Sequence, residues 1–142
     1  MGISLASFFK LHFKPDFSPD LLCSHNYITH FLVVRKNLFE QVGGFSIRYD
    51  GAQDYDLLLK LTEKTNAIYH IPNPLYSWRI TAVSQSLNAS TKPYAVEAGL
   101  SALRDAVGRR GIAGDVTKDD RGTHAARTVA LHPTQTGEGN AS

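Results

Sequence analysis

Two carboxylates, a flexible glycine and a helix start converge in Gly51-Ala52-Gln53-Asp54-Tyr55-Asp56-Leu57. Just upstream, Val42-Gly43-Gly44-Phe45 adds a glycine turn that lets backbone come close to whatever the carboxylates face. If the helix begins at Asp54, its side chain can accept from the free amides of the first turn. The helix dipole favours a negative charge there by about 0.3–1 kcal/mol. The same placement suits a general base, aimed into a cleft where it takes a proton from a hydroxyl. Spacing alone leaves cap and base both open. Asp56 falls on a different side of the helix, so the two acids form no obvious cooperating pair.

Asp54-Tyr55-Asp56 is also formally an Asp-x-Asp triplet, which can bind a divalent cation when it closes a hydrophobic strand and both carboxylates reach the metal. Here Arg48-Tyr49-Asp50-Gly51-Ala52-Gln53 precedes it and a leucine-rich stretch follows, so no metal ligands are assigned in this chain. Cys23, His25 and His30 match no standard zinc spacing, and His30 reads as a core histidine within a strand. No phosphate-cradling glycine loop, nucleophile elbow or His-Glu-x-x-His pattern occurs. Trp78-Arg79 joins a flat apolar ring to a rigid five-donor fork, which suits a sugar face or phosphate oxygens. Trp78 is the sole tryptophan, and a plain core role fits it equally well.

The elements that must position these groups follow from periodicity. Lys14-Pro15-Asp16-Phe17-Ser18-Pro19-Asp20 predicts an extended loop, after which Ser18 or Asp20 can cap a short turn at Leu21-Leu22. Tyr27 to Val34 is β-branched and aromatic and predicts a mostly buried strand. Lys36 to Val42 predicts a short helix stopped by Gly43-Gly44. Leu57, Leu58, Leu59 and Leu61 alternate with charged residues as in a helix packed on a core. Residues 67–71 and 75–80 predict two strands parted by Pro72-Asn73-Pro74. Val96, Leu100, Leu103 and Val107 predict a helix that opens near Pro93 and ends at Arg109-Arg110-Gly111. Asp115 to Ser142 has no periodic apolar face and predicts a disordered tail.

At 142 residues the chain suits one domain with an ordinary core. A net charge of +2 with no basic stripe argues against a nucleic-acid partner. A single cysteine excludes an internal disulfide and accords with a reducing compartment. No apolar run approaches the roughly 20 residues that cross a bilayer, and the N-terminus makes a poor secretory signal. The expected location is the cytoplasm, either free or peripheral to the inner membrane.

The order of the pieces is more specific than any one of them. Lys14 to Leu22, then Asn26-Tyr27-Ile28, Gly43-Gly44-Phe45, Gly51-x-Gln53-Asp54-Tyr55-Asp56-Leu57 and Leu75-Tyr76-x-Trp78-Arg79 resemble family-2 glycosyltransferases. The nearest subgroup is the bacterial rhamnosyltransferase-like one involved in O-antigen assembly. The resemblance covers roughly Phe13 to Gly111. It implies inverting sugar transfer from a nucleotide-sugar donor to a hydroxyl of a glycan or lipid-linked acceptor. It implies Asp54 as the base that deprotonates that hydroxyl, with Gln53, Asp56, Gly44, Trp78 and Arg79 on the acceptor side. A divalent cation, magnesium or manganese, is expected for the full-length family enzyme.

The resemblance also implies an upstream nucleotide-binding half with its own metal-binding Asp-x-Asp, and residues 1–22 correspond to neither. The expected fold is therefore α/β: a partial glycosyltransferase A-type fold, Rossmann-like with a mixed sheet and three main helices, without its N-terminal nucleotide-binding half. Residues 1–22 form an aromatic, proline-rich lead-in, 23–111 the acceptor-side region and 112–142 the tail. A separate N-terminal half is the expected protein partner, and the chain alone is expected to be inactive. The alternatives are a non-catalytic glycan- or partner-binding module and an inert truncated gene product.

Overall fold

A computed structural model describes residues 13–75, 93–119 and 126–131. In chain order the elements are α1 (Pro19–Ser24), α2 (Lys36–Gln41), a 3-10 turn (Ile47–Tyr49), α3 (Gln53–Thr62), α4 (Pro93–Arg109), β1 (Gly114–Asp119) and β2 (Ala126–Leu131). Trp78 and Arg79 lie outside the described residues, as does the expected strand beyond Leu75.

The core sits between α3 and α4. Buried positions on α4 are Gly99, Leu100, Ala102, Leu103, Ala106 and Val107, the helical stripe that the periodicity predicts. Tyr55, Leu58 and Leu59 of α3 meet this stripe, and Leu22, Tyr27, Tyr49 and Val116 close the cluster. Gly99, Ala102 and Ala106 put small residues on the buried face of α4. Pro93 opens α4, where its missing N–H costs nothing.

Both α2 and α4 stop as expected. After α2, Gly43 N–H donates to the Glu40 carbonyl and Gly44 N–H to the Phe39 carbonyl. After α4, Gly111 N–H donates to Gly108 and Ile112 N–H to Val107. This is the paired closure that needs a left-handed residue, supplied by Gly43 (φ 81°) and Gly111 (φ 65°). Ser18 caps α1 as predicted, accepting from the Leu21 amide at 3.3 Å.

The strand expectations fare differently. Residues 27–34 form no strand: Phe31 and Val33 are exposed, and so is His30, which the sequence placed in a core. Thr29 takes a left-handed conformation (φ 42°), and the Lys14 ammonium donates to the carbonyls of both Ile28 and His30. A strand composition needs a neighbour to pair with, and here a lysine occupies the bonding edge instead. Residues 67–71 are likewise irregular, with Tyr69 and Ile71 exposed.

The region read as a disordered tail contains the only paired strands among the described residues. β1 and β2 run antiparallel, in register from Gly114↔Leu131 to Asp119↔Ala126. Val116 reaches the core, so β1 is anchored by the burial that a composition count overlooks. The boundary drawn between residues 22 and 23 also dissolves. It falls inside α1, and Leu22 is a core residue.

Candidate functional site

The site is built from three short pieces that meet at the N-terminal end of α3. Ser46 accepts from the Arg48 amide at 3.3 Å and starts the 3-10 turn. Gly51 (φ 85°) then swings the chain into α3, and the position a Cβ would occupy lies 2.9 Å from Ala95 Cβ and 3.2 Å from Ala95 Cα. Only glycine lets the first turn of α4 pass so close to this bend.

Ala52, not Asp54, holds the cap position of α3, and it offers no side-chain bond. Asp54 is the second helical residue. Its Oδ1 accepts from the Tyr55 amide at 2.9 Å, and its Oδ2 accepts from Asn26 Nδ2 at 3.0 Å. The carboxylate is half-buried, with exposed Gln53 beside it. Each carboxylate oxygen keeps a second lone pair, so Asp54 can still accept from an incoming hydroxyl.

Asp56 points the other way. It was expected on the acceptor side; instead it is fully buried and cannot touch an acceptor. Lys60 Nζ, one turn on, donates to its Oδ2 at 2.6 Å, and its Oδ1 has no hydrogen-bond partner among the described residues. The same ammonium stands 5.9 Å from the centre of the Tyr49 ring. Tyr49 in turn donates to Asp105, which Arg48 pairs at 3.1 Å. Burial first, then the Asp105 carboxylate, push the Tyr49 hydroxyl up to about 12. This polar seam ties the 3-10 turn and α3 to α4.

Gly44 is also displaced from its expected role. It is buried, and a Cβ there would lie 3.0 Å from the Phe39 ring, so its bare face serves packing within the α2 turn. Tyr55, fully buried, donates to the Leu22 carbonyl at 2.6 Å and locks α1 onto α3. Tyr27 anchors the other side: its hydroxyl accepts from the Ser18 amide at 2.8 Å.

Asn26 is the site residue that sequence reasoning missed as a contributor. It stood in the Asn26-Tyr27-Ile28 motif, but nothing in the spacing links it to Asp54, 28 positions away.

A groove of about 820 Å³ opens elsewhere, lined by Phe17, Val42, Lys60, Glu63, Arg109 and Arg110 among others. It contains neither Gln53 nor Asp54. Three of its four cations are already committed: Lys60 binds Asp56, Arg109 binds Glu63 through two bonds of 2.8 and 2.9 Å, and Arg110 donates to the Leu59 carbonyl and Thr62. These contacts lace the C-terminal ends of α3 and α4, where cations offset the helix dipoles. Among the described residues, no three His, Cys, Asp or Glu side chains gather as a metal cluster. No helix of the described residues is long and apolar enough to cross a membrane.

The chain is similar to the O-antigen biosynthesis protein RfbC of Myxococcus xanthus, 45% identical over 105 residues that make up 74% of this chain and 8% of that protein. It is also similar to the uncharacterized protein y4gI of Sinorhizobium fredii, 46% identical over 100 residues, 69% of this chain and 11% of that one. The matched stretch is thus about a tenth of the length of these relatives. No protein-family profile matches the chain. No solved structure matches it.

Proposed function

We propose that this chain is the acceptor-side part of an inverting glycosyltransferase of the A-type fold, family 2, acting in O-antigen or related polysaccharide assembly, with Asp54 as the general base. The observation that carries the reading is Asp54 itself. It is half-buried at the first turn of α3, fixed by Asn26, and flanked by a solvent-facing Gln53. The ordered motifs of the sequence and the likeness to a protein named for O-antigen biosynthesis support the same reading.

In this reaction Asp54 takes the proton of an acceptor hydroxyl. The freed oxygen attacks the anomeric carbon from the face opposite the nucleotide diphosphate, whose bond to the sugar breaks with inversion. A base placed in hydrogen-bond reach contributes about 10²–10⁴-fold to such a step. Asp54 and Asp56 do not suit the divalent cation that the family resemblance calls for. Asp56 is sealed against Lys60, and Asp54 is bonded by Asn26. A donor-phosphate cation would be held by other residues.

The test joins this chain to the nucleotide-sugar-binding half of a family-2 glycosyltransferase and measures transfer from nucleotide sugars to glycan and lipid-linked acceptors. Asp54→Asn should lower turnover by about 10²–10⁴-fold. Transfer that survives Asp54→Asn undiminished would remove Asp54 from the mechanism. Glycan binding by the chain, with no turnover in any such combination, would favour a non-catalytic module.

A further inference from the structure

We propose that Asn26 is a positioning residue for Asp54: its side-chain amide holds the carboxylate in a single orientation, and the strained turn at residues 26–30 exists to aim that amide. The inference rests on the reading of Asp54 as a base.

Three observations converge. The Asn26 amide is bonded at both ends: Oδ1 accepts from the Thr29 amide at 3.3 Å, and Nδ2 donates to Asp54 Oδ2 at 3.0 Å. Because an N–H can only donate to Oδ1, the Thr29 bond fixes which end of the amide faces Thr29. The NH₂ must then face Asp54.

The second observation is the backbone. Thr29 is β-branched and sits at φ 42°, a region such residues avoid. Strain of this kind persists only where the surroundings over-determine it. Here the surroundings are the Asn26 Oδ1 bond on one side and Lys14 on the other, whose ammonium grips the carbonyls of Ile28 and His30.

The third is the neighbour. Tyr27 is buried with its hydroxyl bound to the Ser18 amide, which pins the backbone next to Asn26. Asp54 is pinned from its own side by the helix and by the Tyr55 amide. The Asn26–Asp54 bond therefore joins two anchored pieces, and neither side chain can turn without breaking it. The ordering makes a base ready to receive a hydroxyl without first choosing a rotamer.

The experiment uses the 142-residue chain labelled with ¹³C and ¹⁵N. Three-bond couplings report the Asp54 side-chain rotamer, and the Asn26 Nδ2 resonances report the bond. In the unaltered chain Asp54 should occupy one rotamer, and Asp54→Ala should move the Asn26 side-chain amide signals. Asn26→Asp keeps an oxygen for the Thr29 amide but removes the donor to Asp54. It should leave Asp54 averaging among rotamers while the Thr29 amide and the core signals stay in place. Asn26→Ala should release Thr29 as well. If Asn26→Ala does not fold, Asn26→Asp alone decides. A single unchanged Asp54 rotamer in Asn26→Asp, or Asn26 amide signals indifferent to Asp54→Ala, would overturn the proposal. In the reassembled enzyme, Asn26→Asp should lower kcat by about 10- to 100-fold with KM little changed. If rotamer release is seen while Asp54→Asn leaves turnover intact, the positioning stands and the role of Asp54 as base falls.

Discussion

Gly51 offers the sharpest quantitative test of how the site is held. A methyl group at Gly51 meets two separate penalties. The first is conformational: φ is 85°, and a left-handed residue with a Cβ costs about 1–2 kcal/mol. The second is steric. The new Cβ would lie 2.8 Å from Tyr94 Cε2, 2.9 Å from Ala95 Cβ and 3.2 Å from Ala95 Cα. The Ala95 backbone belongs to the first turn of α4 and cannot give way. Overpacking of this kind costs about 1–3 kcal/mol. Gly51→Ala should therefore destabilise by about 2–5 kcal/mol, a large part of the roughly 5–15 kcal/mol a domain has.

Two other glycines supply internal controls. Gly43 shares the left-handed conformation (φ 81°) but has nothing within 4 Å of a Cβ, so Gly43→Ala meets the first penalty alone, about 1–2 kcal/mol. Gly108, at the end of α4, has ordinary helical backbone and open space. Gly108→Ala should stabilise by about 0.5–1 kcal/mol. Urea unfolding followed by circular dichroism ranks the three, with equal m-values required for the comparison. If Gly51→Ala and Gly43→Ala agree within about 0.5 kcal/mol, α4 does not pass where the structure places it, and the packing behind Asp54 is wrong.

The polar seam gives further predictions. Lys60→Met leaves the fully buried Asp56 carboxylate without its hydrogen-bonded cation and should cost about 3–5 kcal/mol in urea unfolding, while adding Asp56→Leu should recover most of that loss. Tyr49 carries a hydroxyl raised from 10.0 to about 12, so the unfolded chain ionises first and the native state is favoured below pH 10. Its contribution is lost as pH climbs from 10 towards 12, and the fall of stability across that range should be shallower in Tyr49→Phe. Thr29→Asn, which tolerates the left-handed region, should raise the thermal midpoint by the equivalent of about 0.5–1 kcal/mol. Asp54→Asn can satisfy only one of the Tyr55 and Asn26 donors and should cost about 0.5–1.5 kcal/mol while lowering transfer in the reassembled enzyme by about 10²–10⁴-fold, whereas Asp56→Asn should cost more stability and leave transfer per folded molecule intact; transfer per folded molecule lost in Asp56→Asn would break that division.

The helices were legible because their signals are local. The stripe from Val96 to Val107, Pro93 at the start of α4, and Gly43 and Gly111 at the helix ends all act within a few residues of themselves. Strands were not legible for the opposite reason. Tyr27 to Val34 has every compositional mark of one, yet Lys14 takes the Ile28 and His30 carbonyls and no described strand lies alongside. Gly114–Asp119 carries no apolar alternation but pairs with Ala126–Leu131 and sends Val116 into the core. At the site, Asp54 could be singled out from motif order, whereas its contact with Asn26 depends on how a loop folds back across 28 positions. The burial of Asp56 was half visible. Lys60 stands four residues on, the spacing at which acid and base meet on a helix.

That spacing also explains how one short motif divides two roles. Residues two apart on an α-helix are turned by roughly 200° from each other, so Asp54 and Asp56 cannot face the same space. The side that carries Asp56 also carries the burial, and a carboxylate there must be neutralised within the fold. Lys60 does this from the next turn, its ammonium lodged between Asp56 and the Tyr49 ring. The side that carries Asp54 opens outward at the end of the helix where negative charge is favoured, and its partner comes from a different segment, through Asn26. A partner from within α3 would have fixed Asp54 to the helix alone. A partner from the strained 26–30 turn couples it to the lead-in residues that Lys14 and Tyr27 hold in place. The orientation of the outward carboxylate is thus set by residues far from it in sequence, while the inward one is settled within a single turn of helix.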